Sequence, residues 1–212
     1  MTKNDLPNKI AVFPLSNAIF FPRTILPLNI FEDRYIQLVS DCMNEEKLFG
    51  MIQPKVKSDK EPEVYTVGCL GKIIDFNETT DRRFIISLSG IVRFKIKKEL
   101  NNNKLYREFN VDYSDFIDDL EIKKNKLKNF TESQLFKKIK LFFHKLNYSI
   151  EFNELLKLNF DQLINTVCMI SPFSVQEKQK LIEIVNTEEK IKILEDIIDF
   201  NLLSNQENTT VQ

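Results

Sequence analysis

The chain has 212 residues, of which 42% are hydrophobic and 11% aromatic, so it can bury a core and form one composite domain or two small ones. Its 30 lysine and arginine residues balance 31 aspartate and glutamate residues. This balance removes the whole-chain electrostatic reason for a nucleic-acid or membrane partner. The amino terminus does not resemble a secretory signal, and prolines interrupt the apolar stretch 10–30. We therefore expect a soluble, cytoplasmic protein with no membrane partner.

The first half of the chain has the apolar pattern of β-strands. In Phe84–Ile96 the even positions are apolar and several odd positions are polar, which predicts a long, half-buried strand. Gly90 falls on its apolar side, where a missing side chain permits a bulge or a sharp bend. Val64–Phe76 and Leu105–Tyr113 predict further strands, and the polar link 77–82 predicts a hairpin.

One helix is expected to interrupt these strands, from about Asp33 to Asn44. Acidic residues stand near its positive amino end, where the helix dipole favours them. Its apolar spacing predicts one buried face, formed by Ile36, Val39, Cys42 and Met43.

From about residue 120 the apolar spacing changes to three and four, which is typical of helices. Four helix starts are predicted at Thr131 with Gln134, Asp161, Ser174 with Glu177, and Thr187. The first helix has a broad apolar face that comprises Leu135, Phe136, Ile139, Phe142, Phe143 and Leu146. We expect the polar tail after Ser204 to fray. The predicted division is a β-rich part, 1–117, and a helical part, 118–212.

Several segments closely resemble the Lon substrate-binding domain family. The resemblance begins with IAVFPL at 10–15, FFP at 20–22 and LPLNIFEDRY at 26–35. It continues through YTVGCLGKI at 65–73 and DRRFIISLSGIVRF at 81–94, and covers roughly residues 9 to 200. Toward the end, PFS at 172–174 is similar to stand-alone bacterial members. Arg23, Asp33 and Arg82 depart from the family, since glycine, proline and glycine respectively are common at these positions.

The resemblance implies an α+β fold: a PUA-like β pseudo-barrel with one inserted helix, followed by a C-terminal α-helical bundle. It also implies a non-catalytic polypeptide-binding function, that of an adaptor or chaperone-like holder of client proteins. Expected partners are polypeptide clients or a separate protease, and self-association is open. We give structural roles to the matched signature residues Glu32, Arg34, Tyr35, Gly68, Gly90 and Arg93. For Glu32 and Arg34, a helix-start carboxylate and a guanidinium bound to carbonyls, ligand contact stays the alternative.

The sequence shows no constellation suited to catalysis. None of the four glycines begins a phosphate-binding loop, and no serine lies in a glycine-flanked elbow or a serine–lysine context like that of Lon peptidases. Three separated cysteines and one histidine, His144, favour buried thiols and no metal site. The acidic residues between Asp112 and Glu121 read as a solvated connector or, alternatively, a cation site. We therefore expect no enzyme activity, catalytic residue, cofactor or metal.

The best candidates for a polypeptide-binding surface are Phe20, Phe21, Pro22 and Arg23, because they form a proline-bounded loop that could present apolar groups. Core packing of at least one phenylalanine is the competing interpretation. A second hypothesis is an RNA-binding PUA-like protein, based on basic runs at 93–98 and 123–128. A small-molecule enzyme has no titratable constellation to support it and ranks last.

Overall fold

The computed structural model describes residues 2–55, 62–121 and 134–207, the last four without their side chains. The chain divides into two compact units, Met1–Ile122 and Lys123–Gln212. The finer boundary predicted between 117 and 118 stays a prediction. None of the helices in the described ranges has both the length and the hydrophobicity needed to span a bilayer.

The first unit consists of strands with one inserted α-helix. Its strands are β1 (Lys9–Pro14), β2 (Ile25–Ile30), β3 (Leu48–Ile52), β4 (Val67–Glu78), β5 (Phe84–Leu100) and β6 (Arg107–Asp112). Helix α1 (Asp33–Met43) lies between β2 and β3, and a 3-10 helix, Ser114–Leu120, follows β6. The strand-rich first half and its inserted helix are therefore as the sequence predicts.

The six strands form one mixed sheet in the order β2-β5-β4-β3-β1-β6. Strands β1 and β3 are parallel, and the other neighbours are antiparallel. Strand β6 also pairs with β5, so the pairings β5-β4-β3-β1-β6-β5 form a closed cycle. Each strand of the cycle has a hydrogen-bonded neighbour on both sides over at least part of its length, whereas β2 lies outside the cycle and pairs with β5.

Strand β5 confirms the predicted alternation and the predicted irregularity at Gly90. Its buried even positions are Phe84, Ile86, Leu88, Gly90, Val92 and Phe94. The register shifts where Leu70 pairs with Val92 and Gly71 pairs with Gly90, so Ile91 has no opposite residue. This extra residue is a β-bulge, which bends the strand and increases its twist.

Helix α1 has the predicted length, but its buried face is rotated. Tyr35, Leu38, Val39 and Cys42 are buried, whereas Ile36 and Met43 are only half-buried. Tyr35 explains the rotation, because its ring stacks on Phe13 of β1 with centroids 3.8 Å apart. Packing against the sheet therefore selects which part of the apolar face of this helix is buried most deeply.

The second unit is helical in its described part. Its helices are α2 (Gln134–Lys145), α3 (Phe152–Leu155), α4 (Phe160–Ile170), α5 (Val175–Glu183) and α6 (Thr187–Glu207). Helix α6 contacts α2, α4 and α5. The apolar face predicted for α2 is confirmed, with Leu135, Phe136, Ile139, Phe142 and Phe143 buried.

The helix ends test the predicted start and stop signals. Ser174 and Glu177 form the predicted capping box of α5, and α6 begins at Thr187. Helix α4 is capped by the side chain of Asn159, not by Asp161. The predicted box at Thr131 lies outside the described residues. Helix α6 continues to Glu207, and the fraying expected in the polar tail stays a prediction.

Candidate functional site

The loop between β1 and β2 contains the four residues predicted to contact polypeptide. Phe20 and Phe21 are 2% and 0% exposed, and Pro22 is also buried. Both rings belong to the core of the first unit, so the expectation of an exposed apolar pair is corrected. Core packing is the interpretation that agrees with the structure, and a binding role for this loop stays a prediction.

Gly90 allows the backbone of the loop to lie directly against β5. The N–H of Arg23 donates to the carbonyl of Gly90, and the N–H of Gly90 donates to the carbonyl of Thr24, each at 2.9 Å. A Cβ on Gly90 would lie 2.2 Å from the carbonyl oxygen of Phe21. Only glycine permits this close approach of two backbones.

Arg23 is the only one of the four candidates that reaches the surface. Its φ of 62° lies in the left-handed region, which agrees with the glycine common there in the family it resembles. Its Nη2 donates to the carbonyl oxygens of Asp119 at 2.8 Å and Glu121 at 2.5 Å. The guanidinium therefore holds the end of the 3-10 helix against this loop.

Arg93 and Asp119 form a buried ion pair beside that contact. Their side chains are 5% and 12% exposed. Nε and Nη2 of Arg93 each donate to one carboxylate oxygen at 2.8 Å, and the backbone N–H of Arg93 donates to Oδ2 at 3.0 Å. The guanidinium also lies 4.4 Å from the centre of the Phe116 ring. These contacts are consistent with the structural role predicted for Arg93.

Sequence reasoning missed Asp119 as the partner of Arg93. It placed Arg93 on the solvent side of the strand and treated the acids near Asp119 as a solvated connector. The strand period does put Arg93 opposite the apolar face, but the 3-10 helix covers that position. Phe116 was the sequence feature that could have indicated this partner. A buried phenylalanine holds its segment against the sheet, so an acidic residue near it can also be buried.

A groove of about 1030 Å³ opens next to Arg23 and Asp119. Its apolar lining comes from Leu48, Ile73, Ile74, Ile91 and Leu120. Ile74 is 55% exposed, whereas Ile73 is 4% exposed. The charged rim comprises Asp5, Glu45, Glu46, Lys47 and Lys72. Apolar groups beside backbone and charged groups are the combination that a binder of varied polypeptides requires.

The signature residues at the start of α1 have packing and surface contacts. Arg34 donates through Nε and Nη2 to Glu32 Oε2 at 2.9 and 2.7 Å, and both side chains are exposed. The guanidinium therefore binds a carboxylate and not the predicted backbone carbonyls. Burial raises the pKa of Tyr35, and its hydroxyl donates to the Pro14 carbonyl at 3.4 Å.

Gly68 has a steric role in the sheet. A Cβ there would lie 2.4 Å from the carbonyl oxygen of Met51 and 2.7 Å from a ring carbon of Phe94. Any side chain would push β4 away from β3 or displace a buried ring. The structural role predicted for Gly68 is consistent with this geometry.

A second, more polar cavity of about 650 Å³ is lined in part by Lys9, Lys104, Tyr106 and Glu108. Glu108 is 6% exposed, forms an ion pair with Lys9 at 3.0 Å and accepts a hydrogen bond from Asn102 at 3.0 Å. Burial raises its pKa, but these partners outweigh burial and the pKa is lowered. A carboxylate held ionised in this way is unsuited to act as a general acid.

The basic run on β5 is paired with the acidic run that follows β6. Lys95 pairs with Asp115, and Lys97 pairs with Asp112 at 2.9 Å. With Arg93 bound to Asp119, three of the four cations in this run have an acidic partner, which weakens the case for an RNA surface. The second basic run, 123–128, lies outside the described residues.

The remaining candidate groups have unreactive surroundings. Cys42, Cys69 and Cys168 are buried thiols, and burial raises the thiol pKa of Cys42 and of Cys168 to about 12. His144 is exposed on α2. Over 2–55, 62–121 and 134–207, no group of three or more His, Cys, Asp or Glu side chains could hold a metal ion.

Comparison of the sequence with known families and proteins gives consistent matches. A family model described as the ATP-dependent protease La (LON) substrate-binding domain matches residues 9–199. The Lon protease of Buchnera aphidicola subsp. Schizaphis graminum is 27% identical over 196 residues, which are 90% of this chain and 25% of that protein. The Lon protease of Orientia tsutsugamushi is 26% identical over 201 residues, with shares of 91% and 25%. The chain thus spans only about a quarter of the length of these relatives.

Two solved structures share the fold. A Lon N-terminal domain protein from Xanthomonas campestris aligns with a TM-score of 0.62 and 19% identity, over 90% of this chain and 97% of that one. The N-terminal domain of a Mycobacterium avium complex Lon protease aligns with a TM-score of 0.59 and 16% identity, over 90% and 98%. At such low identity, the likeness concerns the backbone fold alone.

Proposed function

We propose that this chain, which belongs to the ATP-dependent protease La (LON) substrate-binding domain family, holds client polypeptides and performs no chemistry on them. Recognition depends on shape and apolar contact. The aligned region in the curated relatives is a part of larger Lon proteases. In this proposal, the chain corresponds to the part that recognises the substrate, and cleavage is the task of a separate protease.

The observation that carries the proposal is the groove beside Arg23 and Asp119. Its volume of about 1030 Å³ is at the upper end of the range for small-molecule pockets, which is roughly 300–1,000 Å³. The exposed side chain of Ile74 and the half-buried Ile91 supply apolar contact area within it. Charged side chains of both signs line its rim, so the groove can accept varied sequences.

We propose further that residues 1–117 form a PUA-like pseudo-barrel and that the helices of 118–212 form a bundle. The closed cycle of five strand pairings supports the barrel, and the contacts of α6 with α2, α4 and α5 support the bundle. The cytoplasmic location and the adaptor or chaperone-like role are parts of the same proposal. RNA binding is not proposed, because three of the four cations in the described basic run are paired with acids.

A capture assay tests the proposal. A reduced, carboxymethylated protein with a fluorescent label serves as the unfolded client, and the native form of the same protein is the control. We expect capture of the unfolded form alone, with little change between low and high salt. Failure to capture it, or affinity for single-stranded RNA that falls steeply with salt, would refute the proposal.

Two matched variants locate the binding surface. Ile74 in the groove and Ile25 on β2 are both 55% exposed. We expect Ile74→Asp to weaken client capture about tenfold, because it replaces apolar contact area with a charge that must be desolvated. Ile25→Asp should leave capture unchanged. Equal effects of the two variants would mean that the groove is not the binding site.

A further inference from the structure

We propose that the client binds as an additional β-strand along the open edge of β4, at residues 74–78, and that the preferred client segment alternates apolar with basic side chains. This inference rests on the proposed function and specifies its geometry. Main-chain hydrogen bonds would supply affinity that does not depend on client sequence, and alternate side chains would supply preference.

The edge of β4 is open because β3 ends before β4 does. The pairing of β3 with β4 runs only to Leu48 opposite Lys72, and the N–H of Ile73 donates to the carbonyl of Lys47 at 2.9 Å. On its other side, β4 pairs with β5 as far as Glu78 opposite Phe84. Beyond Ile73, β4 thus has one paired side and one side without a strand in the described part of the chain.

The register shows which backbone groups face the open side. The N–H of Thr79 donates to the carbonyl of Arg83 at 2.9 Å, so these two residues form a hydrogen-bonded pair of the antiparallel ladder. Hydrogen-bonded and non-hydrogen-bonded pairs alternate along such a ladder. The main-chain N–H and C=O groups of Asp75 and Asn77 therefore point toward β5, whereas those of Phe76 and Glu78 point away from it. Within the described ranges, these outward groups have no main-chain partner.

The sheet has a second free edge on β2, but that edge is protected. Pro27 lies in the middle of β2 and lacks an N–H, so it interrupts the row of donors. Proline on an edge strand is a common device against unwanted strand pairing. No proline lies in β4. The edge of β4 therefore has a row of main-chain donors that no proline interrupts, as strand addition requires, and the edge of β2 does not.

The side chains along the β4 edge define the client chemistry. Phe76 is half-buried against Phe84, with ring centroids 5.0 Å apart, so an apolar client side chain can extend this contact. Asp75 and Glu78 are exposed, and neither forms an ion pair within the described ranges. An added strand alternates its side chains between the two faces of the sheet. With an apolar client side chain beside Phe76, the next client side chain lies beside Asp75 on the opposite face, where lysine or arginine completes the charge complementarity.

A second copy of this chain fits the edge less well. Antiparallel pairing of two β4 edges about Phe76 would place Asp75 diagonally next to its own copy on one face, without a cation among residues 74–78. Like charges at close range oppose such pairing. The charge pattern therefore favours a basic client segment over self-association.

The test uses a fluorescent ten-residue peptide of alternating valine and lysine, with affinity measured by anisotropy. Glu78→Pro removes one outward donor and leaves the ladder to β5 intact, whereas Thr80→Pro in the adjacent turn is the matched control. We expect Glu78→Pro to weaken binding about tenfold and Thr80→Pro to leave it unchanged, since a main-chain bond and its local geometry are lost only in the first. Thermal unfolding checks that both variants fold.

A second measurement keeps the inference testable if Glu78→Pro does not fold. The same peptide, N-methylated at its valines, lacks the donors that face β4 when valine lies beside Phe76, and it should bind the unmodified protein about tenfold more weakly. On binding of the unmethylated peptide, hydrogen exchange should slow at the amides of Phe76 and Glu78.

The results of these experiments distinguish failure of the strand-addition inference from failure of the proposed function. Unchanged affinity of the methylated peptide, with exchange protection elsewhere, overturns strand addition while capture of unfolded protein still supports the function. Dimerisation that Glu78→Pro abolishes in the absence of peptide also overturns it, because the edge would then belong to a second copy. Failure to bind any unfolded polypeptide defeats both.

Discussion

Two pairs of adjacent phenylalanines, one in each unit, are buried to the same extent by different means. Phe142 and Phe143 lie on α2 and are 1% and 0% exposed, and Phe20 and Phe21 lie in an irregular loop and are 2% and 0% exposed. In the helix, the apolar spacing of neighbouring turns places both rings on one broad face. In the loop, no periodicity exists, and the Gly90 backbone contact fixes the position of the rings. Burial of a loop residue therefore depends on a partner distant in sequence.

The largest expected effect comes from removing one ring of each pair. Phe21→Ala and Phe143→Ala should each lower the free energy of unfolding by about 3–5 kcal/mol, because each leaves a cavity in a packed core. Phe200→Ala is the control, since that ring is 67% exposed, and it should change stability by less than about 0.5 kcal/mol. Urea unfolding measures all three. An effect of Phe21→Ala as small as that of the control would show that the loop ring is a surface group.

This contrast shows which parts of the fold the sequence could predict. Strand β5 and helix α2 were predictable because each has a clear period, and the cap at Ser174 and the helix start at Thr187 have local signals. The exposed or buried state of Phe20 was not predictable in the same way. Local patterns define an element and its apolar face, whereas the packing of a loop requires the register of strands that pair across long separations.

The buried ion pair is the next test of the loop region. Asp119→Ala would leave the guanidinium of Arg93 buried without its carboxylate, and we expect a loss of about 3 kcal/mol of unfolding free energy. Asp115→Ala is the matched control, because its ion pair with Lys95 is about half exposed, and exposed pairs contribute less than about 1 kcal/mol. Chemical denaturation compares them. Equal losses would mean that burial of Arg93 does not matter to stability.

Substitution of Gly90 tests its close contact with the backbone of Phe21 directly. A Cβ at Gly90 meets the backbone oxygen of Phe21 at 2.2 Å, whereas a Cβ at Gly50 meets only ends of the Ile10 and Phe94 side chains, at 2.8 Å. We expect Gly90→Ala to destabilise by about 2–3 kcal/mol and Gly50→Ala by about 1 kcal/mol, since side chains yield more readily than backbone. Thermal unfolding of both variants checks the order. A reversed order would contradict the role assigned to Gly90.

The candidate site was less predictable than the fold, for a related reason. Arg23 stood in the expected loop, but its partners are carbonyl oxygens nearly a hundred positions away, at Asp119 and Glu121. The groove combines residues from β3, β4, β5 and the 3-10 helix, which share no local pattern. Ile74 lies on the exposed side of β4 with Lys72, but an apolar side chain gives no sequence signal of such exposure. A site built from several strands becomes visible only once their register is known.

The smallest expected change in stability comes from substituting two arginines that share a left-handed backbone conformation. Arg82 and Arg23 both have a φ of 62°, and glycine adopts this conformation with less strain. Arg82 is exposed in the hairpin turn, so Arg82→Gly should raise the free energy of unfolding by about 0.5–1 kcal/mol, after the greater freedom of glycine in the unfolded chain is subtracted. Arg23→Gly relieves the same strain but loses the hydrogen bonds to Asp119 and Glu121, which contribute about 1 kcal/mol each. It should therefore be neutral or destabilising. A gain of stability at both positions in thermal unfolding would show that the Arg23 guanidinium does not hold the 3-10 helix.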